Sequence, residues 1–162
     1  MAISKKVILV GHFGVGKTSL IRRFVHQKFS DEYLTTIGVK IDKKVLQISG
    51  QEVTLIIWDI AGETNQVKTP KSYQLGAHGV LYVFDITRPS TYENLHEQLG
   101  YLNNLLPQAR VEVIANKTDL LSAEEQENVI SALQLDKIYA TSAKTGENVE
   151  AIFEVLAKAM IS

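Results

Sequence analysis

Gly11-His12-Phe13-Gly14-Val15-Gly16-Lys17-Thr18 decides how this chain is read. It fills every fixed slot of the phosphate-binding pattern G-x-x-x-x-G-K-(S/T). The residues before it, Val7-Ile8-Leu9-Val10, form an unbroken apolar run that suits a strand buried on both faces. Those after it, Leu20, Ile21, Phe24 and Val25, recur at helical spacing. In a strand–loop–helix context the glycines let backbone close around phosphate oxygens. The N–H groups of the loop and of the helix start, Phe13 through Ser19, then face the anion. Lys17 adds a point charge near the outer phosphates, and the Thr18 hydroxyl suits Mg²⁺. A merely tight strand-to-helix turn would not require Lys-Thr at its end.

Composition sets outer bounds. A chain of 162 residues is expected to make one domain, spanning 1–162, with a full core. Seventeen basic against eighteen acidic side chains leave a net charge of −1, which argues against a nucleic-acid surface. Cysteine is absent, so thiolate metal sites, cysteine nucleophiles and prenylation of this chain are excluded. With no apolar signal core and no apolar run of spanning length, the expectation is a cytoplasmic protein without a membrane anchor of its own.

Strand-like runs recur at Val7–Val10, Val39–Ile48, Val53–Asp59, Gly79–Asp85, Val111–Ala115 and Ile138–Ala140. Ser49-Gly50-Gln51 joins the second and third closely enough for an antiparallel hairpin. Helix-length segments separate the others, which implies parallel crossovers. Ser90–Glu93 and Ser122–Glu125 both read as capping boxes. In the last helix Val149, Ile152, Phe153, Leu156, Ala157 and Met160 share one stripe, more simply a core face than a cofactor box. The expected fold is α/β, with a six-stranded, mostly parallel sheet, one antiparallel edge strand and about five helices on both faces. Ligands in such sheets bind beyond the carboxyl ends of the strands.

Polar residues stand at those ends. Asp59 closes the third strand and can reach Mg²⁺, directly or through water, while Gly62 lets backbone approach an outer phosphate. After the fifth strand comes Asn116-Lys117-Thr118-Asp119. A carboxylate only accepts, so Asp119 can take two hydrogen bonds from the N1–H and exocyclic amine of guanine, a donor pair adenine lacks. Lys117 can lay its stem along the base, and Asn116 can tie this loop to the phosphate loop. After the sixth strand, Thr141-Ser142-Ala143-Lys144 offers an Ala143 N–H for the guanine O6 and the Lys144 stem as a ring cover. Isolated, each set could be a polar turn. His26, His78 and His96 share no metal-site spacing, and His12 is given no catalytic role.

Together these motifs resemble the Ras superfamily of small GTPases, and its Rab branch most closely, over essentially the whole chain. The resemblance implies a small G-domain of the P-loop NTPase fold that binds GTP and GDP with Mg²⁺. It also implies that Thr36, in Tyr33-Leu34-Thr35-Thr36-Ile37-Gly38-Val39, is the switch threonine on Mg²⁺. Phe29 would meet the guanine edge-on, and Tyr33 would close over the γ-phosphate. Trp58, Tyr73 and Gly76-Ala77-His78-Gly79 are also similar to the Rab pattern. Protein effectors and regulators would approach residues of about 30–41 and 60–76.

The chain departs from that family at three places. Glu63 stands where most relatives carry the glutamine that orients water, Phe13 fills a slot that is often glycine, and Thr64–Pro70 lacks the Rab arginines and phenylalanine. Ile41 also replaces an effector-facing phenylalanine, and the sequence given ends at Ser162, just past the last helix, which fits either a trimmed chain or a relative without the prenylated tail. The expected activity is a GTP/GDP switch with slow hydrolysis, in which Glu63, Lys17 and Thr36 carry the chemistry. Its rival is a GTP-binding scaffold with negligible hydrolysis. An ATP-using P-loop kinase is disfavoured by Asn116-Lys117-x-Asp119.

Overall fold

A computed structural model describes residues 2–26, 39–60 and 71–162. Among these residues the chain forms strands β1 (Ile3–Val10), β2 (Val39–Ile48), β3 (Gln51–Ile60), β4 (Gly79–Asp85), β5 (Arg110–Asn116) and β6 (Tyr139–Ala140). The helices are α1 (Lys17–His26), α2 (Lys71–Gln74), α3 (Leu95–Leu105), α4 (Ala123–Ala132) and α5 (Val149–Ile161). The strands pair in the order β2-β3-β1-β4-β5-β6, and every pair is parallel except β2 with β3.

Alternation along the central strands builds two cores. On β1, Val7 and Leu9 pack with α1 and α5, whereas Ile8 and Val10 pack with α3 and β4 residues on the opposite face. All seven residues of β4 are buried. That explains why both strands read as unbroken apolar runs: neither has a solvent side to keep polar. On the α5 side Phe153 lies flat on Phe24, with ring centroids 4.0 Å apart. The α5 stripe is core as expected: five of its six members are buried, and Met160 packs partly against them.

The hairpin is tighter than the three-residue connection expected. Gln51 already belongs to β3 and pairs with Ile48, so only Ser49 (φ 52°) and Gly50 (φ 81°) turn the chain. Two consecutive positive φ values match the twist of the flanking strands. The strands also run slightly longer than expected at β1, β3 and β5, while β6 is cut to Tyr139–Ala140.

One of the two capping boxes is present. Ser122 Oγ accepts from the Glu125 N–H at 3.2 Å, and Glu125 Oε1 accepts from the Ser122 N–H at 3.0 Å. Ser122→Ala should therefore cost about 1 kcal/mol of stability, read as a lower denaturation midpoint with an unchanged slope. The other, at Ser90–Glu93, is corrected. Pro89–Thr91 forms a 3-10 turn, and α3 begins only at Leu95. Thr91 is fully buried, and its hydroxyl lies 2.7 Å from the Arg88 carbonyl while accepting the Asp85 N–H at 3.0 Å. No α-helix starts at Ser90, the residue that was to cap one, and the neighbouring Thr91 hydroxyl finishes β4 instead.

Candidate functional site

At the carboxyl edge of the sheet β1 lies between β3 and β4, and the chain after β1 returns on the β2–β3 side whereas the chain after β3 returns on the β4 side, which is where open α/β sheets bind ligands. Gly11–Gly16 runs from β1 into α1 across that point. Helix α1 has no acidic residue in its first turn, so its positive end stays available to an anion. The Lys17 ammonium folds back to the loop, donating to the carbonyls of Gly11 and His12 at 3.1 Å each, and the residue is 94% buried by its 6% exposure. A buried cation at a helix N-terminus is a strong attractor for phosphate. Phe13 shows 49% of its surface to solvent.

Thr18, the second residue of α1, donates its hydroxyl to Asp59 Oδ2 at 2.5 Å. The β1–β3 register sets this pair, with Leu9 opposite Asp59. Burial pushes the Asp59 carboxyl up from its ordinary range, and Asp42 adds to that; the Thr18 hydrogen bond, Lys17 and Lys40 pull it back. Hydroxyl and carboxylate oxygens converging beside a phosphate loop are the hard donor set that Mg²⁺ takes, and a cation there would offset the desolvation of Asp59. No group of three or more His, Cys, Asp or Glu side chains that could hold a metal ion occurs among the described residues.

Three strand ends assemble the other half. Asn116 is 1% exposed and satisfies both ends of its amide. Its Nδ2 donates to the Val15 carbonyl at 3.0 Å, across to the phosphate loop. Its Oδ1 accepts from the Thr141 hydroxyl at 3.0 Å and the Ala143 N–H at 3.3 Å. A Cβ on Gly16 (φ 103°) would lie 2.3 Å from Asn116 Nδ2, so only glycine permits this approach. Lys117, itself left-handed at φ 67°, donates to the Gly14 carbonyl at 2.8 Å and pairs with Asp85 at 3.0 Å. Asp119 is exposed, and its Oδ1 accepts from the buried Ser142 hydroxyl at 2.7 Å.

The structure therefore brings together Gly14, Val15, Gly16, Lys17, Thr18 and Asp59 on one side, and Asn116, Lys117, Asp119, Ser142 and Ala143 on the other. Lys144 follows on the exposed rim, and Ser19 continues α1. Phe29, Tyr33, Thr36, Gly62 and Glu63 lie outside the described residues. So does the stretch Thr64–Pro70. Of the expected partner-facing segments, Ile41 is 48% exposed and stands opposite Trp58 in the hairpin, and Tyr73 tilts against Trp58 at 6.5 Å.

Sequence reasoning missed three contributors. Arg23 on α1 donates from Nε to the Ala143 carbonyl at 2.9 Å and from Nη2 to the Lys144 carbonyl. Thr141 and Asp85 hold Asn116 and Lys117 as just described. No local pattern marks them, because each acts on a loop far away in the chain.

A phosphate loop, an oxygen-donor pair for a divalent cation and an acceptor-only side chain at the base-side loop define a P-loop nucleotide-binding α/β protein. Comparison with known proteins narrows this. A model of the Ras family matches residues 6–162. The Ras-related protein Rab-32C of Dictyostelium discoideum is 36% identical over 170 aligned residues, covering 99% of this chain and 75% of that protein. The Ras-related protein SEC4 of Saccharomyces cerevisiae is 34% identical, covering 94% of this chain and 73% of its own length. The Ras-related protein Rab-1 of Theileria parva is 35% identical over 96% of this chain and 73% of its own. The chain belongs to the Ras family and is Rab-like, a small GTPase that binds GTP as a regulatory switch and hydrolyses it. No helix among the described residues is long and apolar enough to cross a membrane.

Proposed function

We propose that this single domain holds Mg²⁺-GTP or GDP along the carboxyl edge of its sheet as a cytoplasmic switch. The phosphates lie on the backbone of residues 13–19 with Lys17. The guanine lies on Lys117 and Lys144, read by Asp119 and by the Ala143 N–H, a donor then shared between Asn116 Oδ1 and O6. One observation carries the reading: Asn116 is buried and joins the phosphate loop to the base-side loops with three hydrogen bonds. Thr18 and Asp59, the latter through water, would hold Mg²⁺, with Thr36 joining in the triphosphate state. Bound there, the ion supplies charge neutralisation of the phosphates. Phe29 would flank the base, and Tyr33 and Gly62 would meet the γ-phosphate.

Purified protein incubated with Mg²⁺ and equal GTP and ATP should retain guanine nucleotide and convert GTP slowly to GDP. Equal retention of ATP would overturn the assignment. Protein effectors and regulators would read residues of about 30–41 and 60–76, where Ile41 and Tyr73 both stand next to Trp58, whose ring centroid lies 3.8 Å from the Lys6 ammonium.

Glu63 gives hydrolysis its own signature. A glutamine amide accepts from water and donates to phosphate, whereas an ionised carboxylate only accepts. A carboxylate charge about 5 Å from one phosphate charge would, at an effective dielectric of about 20, be repelled by roughly 3 kcal/mol. The same field favours the protonated, donating form. Single-turnover hydrolysis should therefore vary with pH near neutrality, and Glu63→Gln should flatten the profile. Matching profiles for wild type, Glu63→Gln and Glu63→Ala would remove Glu63 from the mechanism. Phe13 would crowd an arginine inserted by a partner, so Phe13→Gly should be the variant that such a partner accelerates.

A further inference from the structure

The end of β4 carries a charge that nucleotide contact alone does not explain. Asp85 is 1% exposed, and a carboxylate so buried must be paired. Its two oxygens are divided. Oδ1 accepts from the Thr87 hydroxyl at 2.6 Å and the Thr87 N–H at 2.9 Å, which fixes the plane of the group. Oδ2 faces two cations, the Lys117 ammonium at 3.0 Å and the Arg88 guanidinium at 4.0 Å. Each cation then reaches the phosphate loop. Lys117 donates to the Gly14 carbonyl at 2.8 Å, and Arg88 Nη1 donates to the adjacent Phe13 carbonyl at 3.1 Å. The guanidinium lies so close to the loop that a Cβ on Gly14 (φ 78°) would sit 3.1 Å from Arg88 Nη1.

We infer that Asp85 is a positioning residue for nucleotide retention: through Lys117 and Arg88 it braces two successive carbonyls of the phosphate loop and ties that loop to the base-side loop. Turning the Phe13 and Gly14 carbonyls outward onto cations leaves the loop's N–H groups facing inward toward phosphate, the orientation an anion site needs. Because one carboxylate orients both cations, opening the base-side loop strips Lys117 from Gly14 and loosens the phosphate loop in the same event. Base and phosphates are thus released together. The β4–β5 register, which sets Asp85 directly beside Asn116, places this brace next to the amide link already described.

The inference rests on the nucleotide site proposed above, and its test separates the two. Protein loaded with a fluorescent GDP analogue is chased with excess GDP, and the release rate is compared for wild type, Asp85→Asn, Arg88→Gln and the double variant. Asp85→Asn keeps the shape and the Thr87 acceptor but turns an amide donor toward both cations. It should release the analogue about tenfold faster, the loss of one charge-assisted contact. Arg88→Gln, at a largely exposed position, should release it about threefold faster, and the double variant no faster than Asp85→Asn, since Arg88 acts through Asp85. Melting temperature is read on the same samples, and a purely structural Asp85 would lower it without altering release. Release within twofold of wild type for a folded Asp85→Asn would overturn the inference. Should that variant not fold, unchanged release from Arg88→Gln would do the same. Wild type that retains no GDP would instead overturn the nucleotide reading, and this inference with it.

Discussion

Asp119→Asn should exchange guanine for xanthine. Wild-type Asp119 stands exposed at the rim with one oxygen held by the buried Ser142 hydroxyl at 2.7 Å, and that hydroxyl in turn accepts the Thr145 N–H at 3.1 Å. The carboxylate is therefore aimed before any base arrives, at little conformational cost. Against guanine, on the reading proposed above, it would accept from N1–H and from the exocyclic amine. An asparagine keeps one acceptor but turns a donor toward the amine, so two donors meet. Xanthine places a carbonyl at that position and restores the match. A site built to hydrogen-bond its ligand rejects a mismatched one by about 10⁴-fold, so the preference for GDP over XDP should invert across several decades. Competition between the two diphosphates for the wild type and the variant reads this directly. A variant that still preferred GDP would place the base elsewhere.

The sequence carried this much because its decisive features are local. Gly11–Thr18 needs only its neighbours to be read, and the apolar runs of β1 and β4 declare two covered faces without reference to anything distant. The Asn116 link is legible for the same reason: it reaches the phosphate loop from a strand end with a side chain whose chemistry is fixed. What stayed hidden is long-range. Arg23 braces carbonyls some 120 positions away, and Asp85 looks like the end of an apolar strand until the fold brings Lys117 to it. Ser90–Glu93 misled for a different reason. Ser90 and Glu93 carry a helix-cap pattern, but the intervening Thr91 is buried at the end of β4, where its hydroxyl meets backbone at Asp85 and Arg88 and the segment forms a 3-10 turn. Where two local side chain–backbone arrangements compete over one short segment, pattern alone cannot rank them.

Asn116→Ala should be as damaging as any single change in the site, although Asn116 reaches the nucleotide chiefly through its neighbours. The side chain is 1% exposed and makes three hydrogen bonds to two segments, the phosphate loop at Val15 and the loop after β6 at Thr141 and Ala143. Truncation strands the Val15 carbonyl, the Ala143 N–H and the Thr141 hydroxyl around a small void. A buried group left without its partner costs about 1–3 kcal/mol, and the hydroxyl can re-aim while the two backbone groups cannot. On the nucleotide reading proposed above, those two groups belong to the loops that would hold phosphate and base, so the loss would fall on the bound state. Nucleotide affinity should drop by about three decades, corresponding to about 4 kcal/mol. Gly16→Ala should produce a similar defect from the opposite side, because its Cβ would lie 2.3 Å from Asn116 Nδ2 and push the amide off Val15. Weaker binding also lowers the apparent melting temperature by mass action, so the decisive quantity is the GDP release rate, measured where each variant is folded. Release as slow as wild type from Asn116→Ala would mean that the phosphate and base loops hold their positions without it, and the link between them would have to be sought in Lys117 alone.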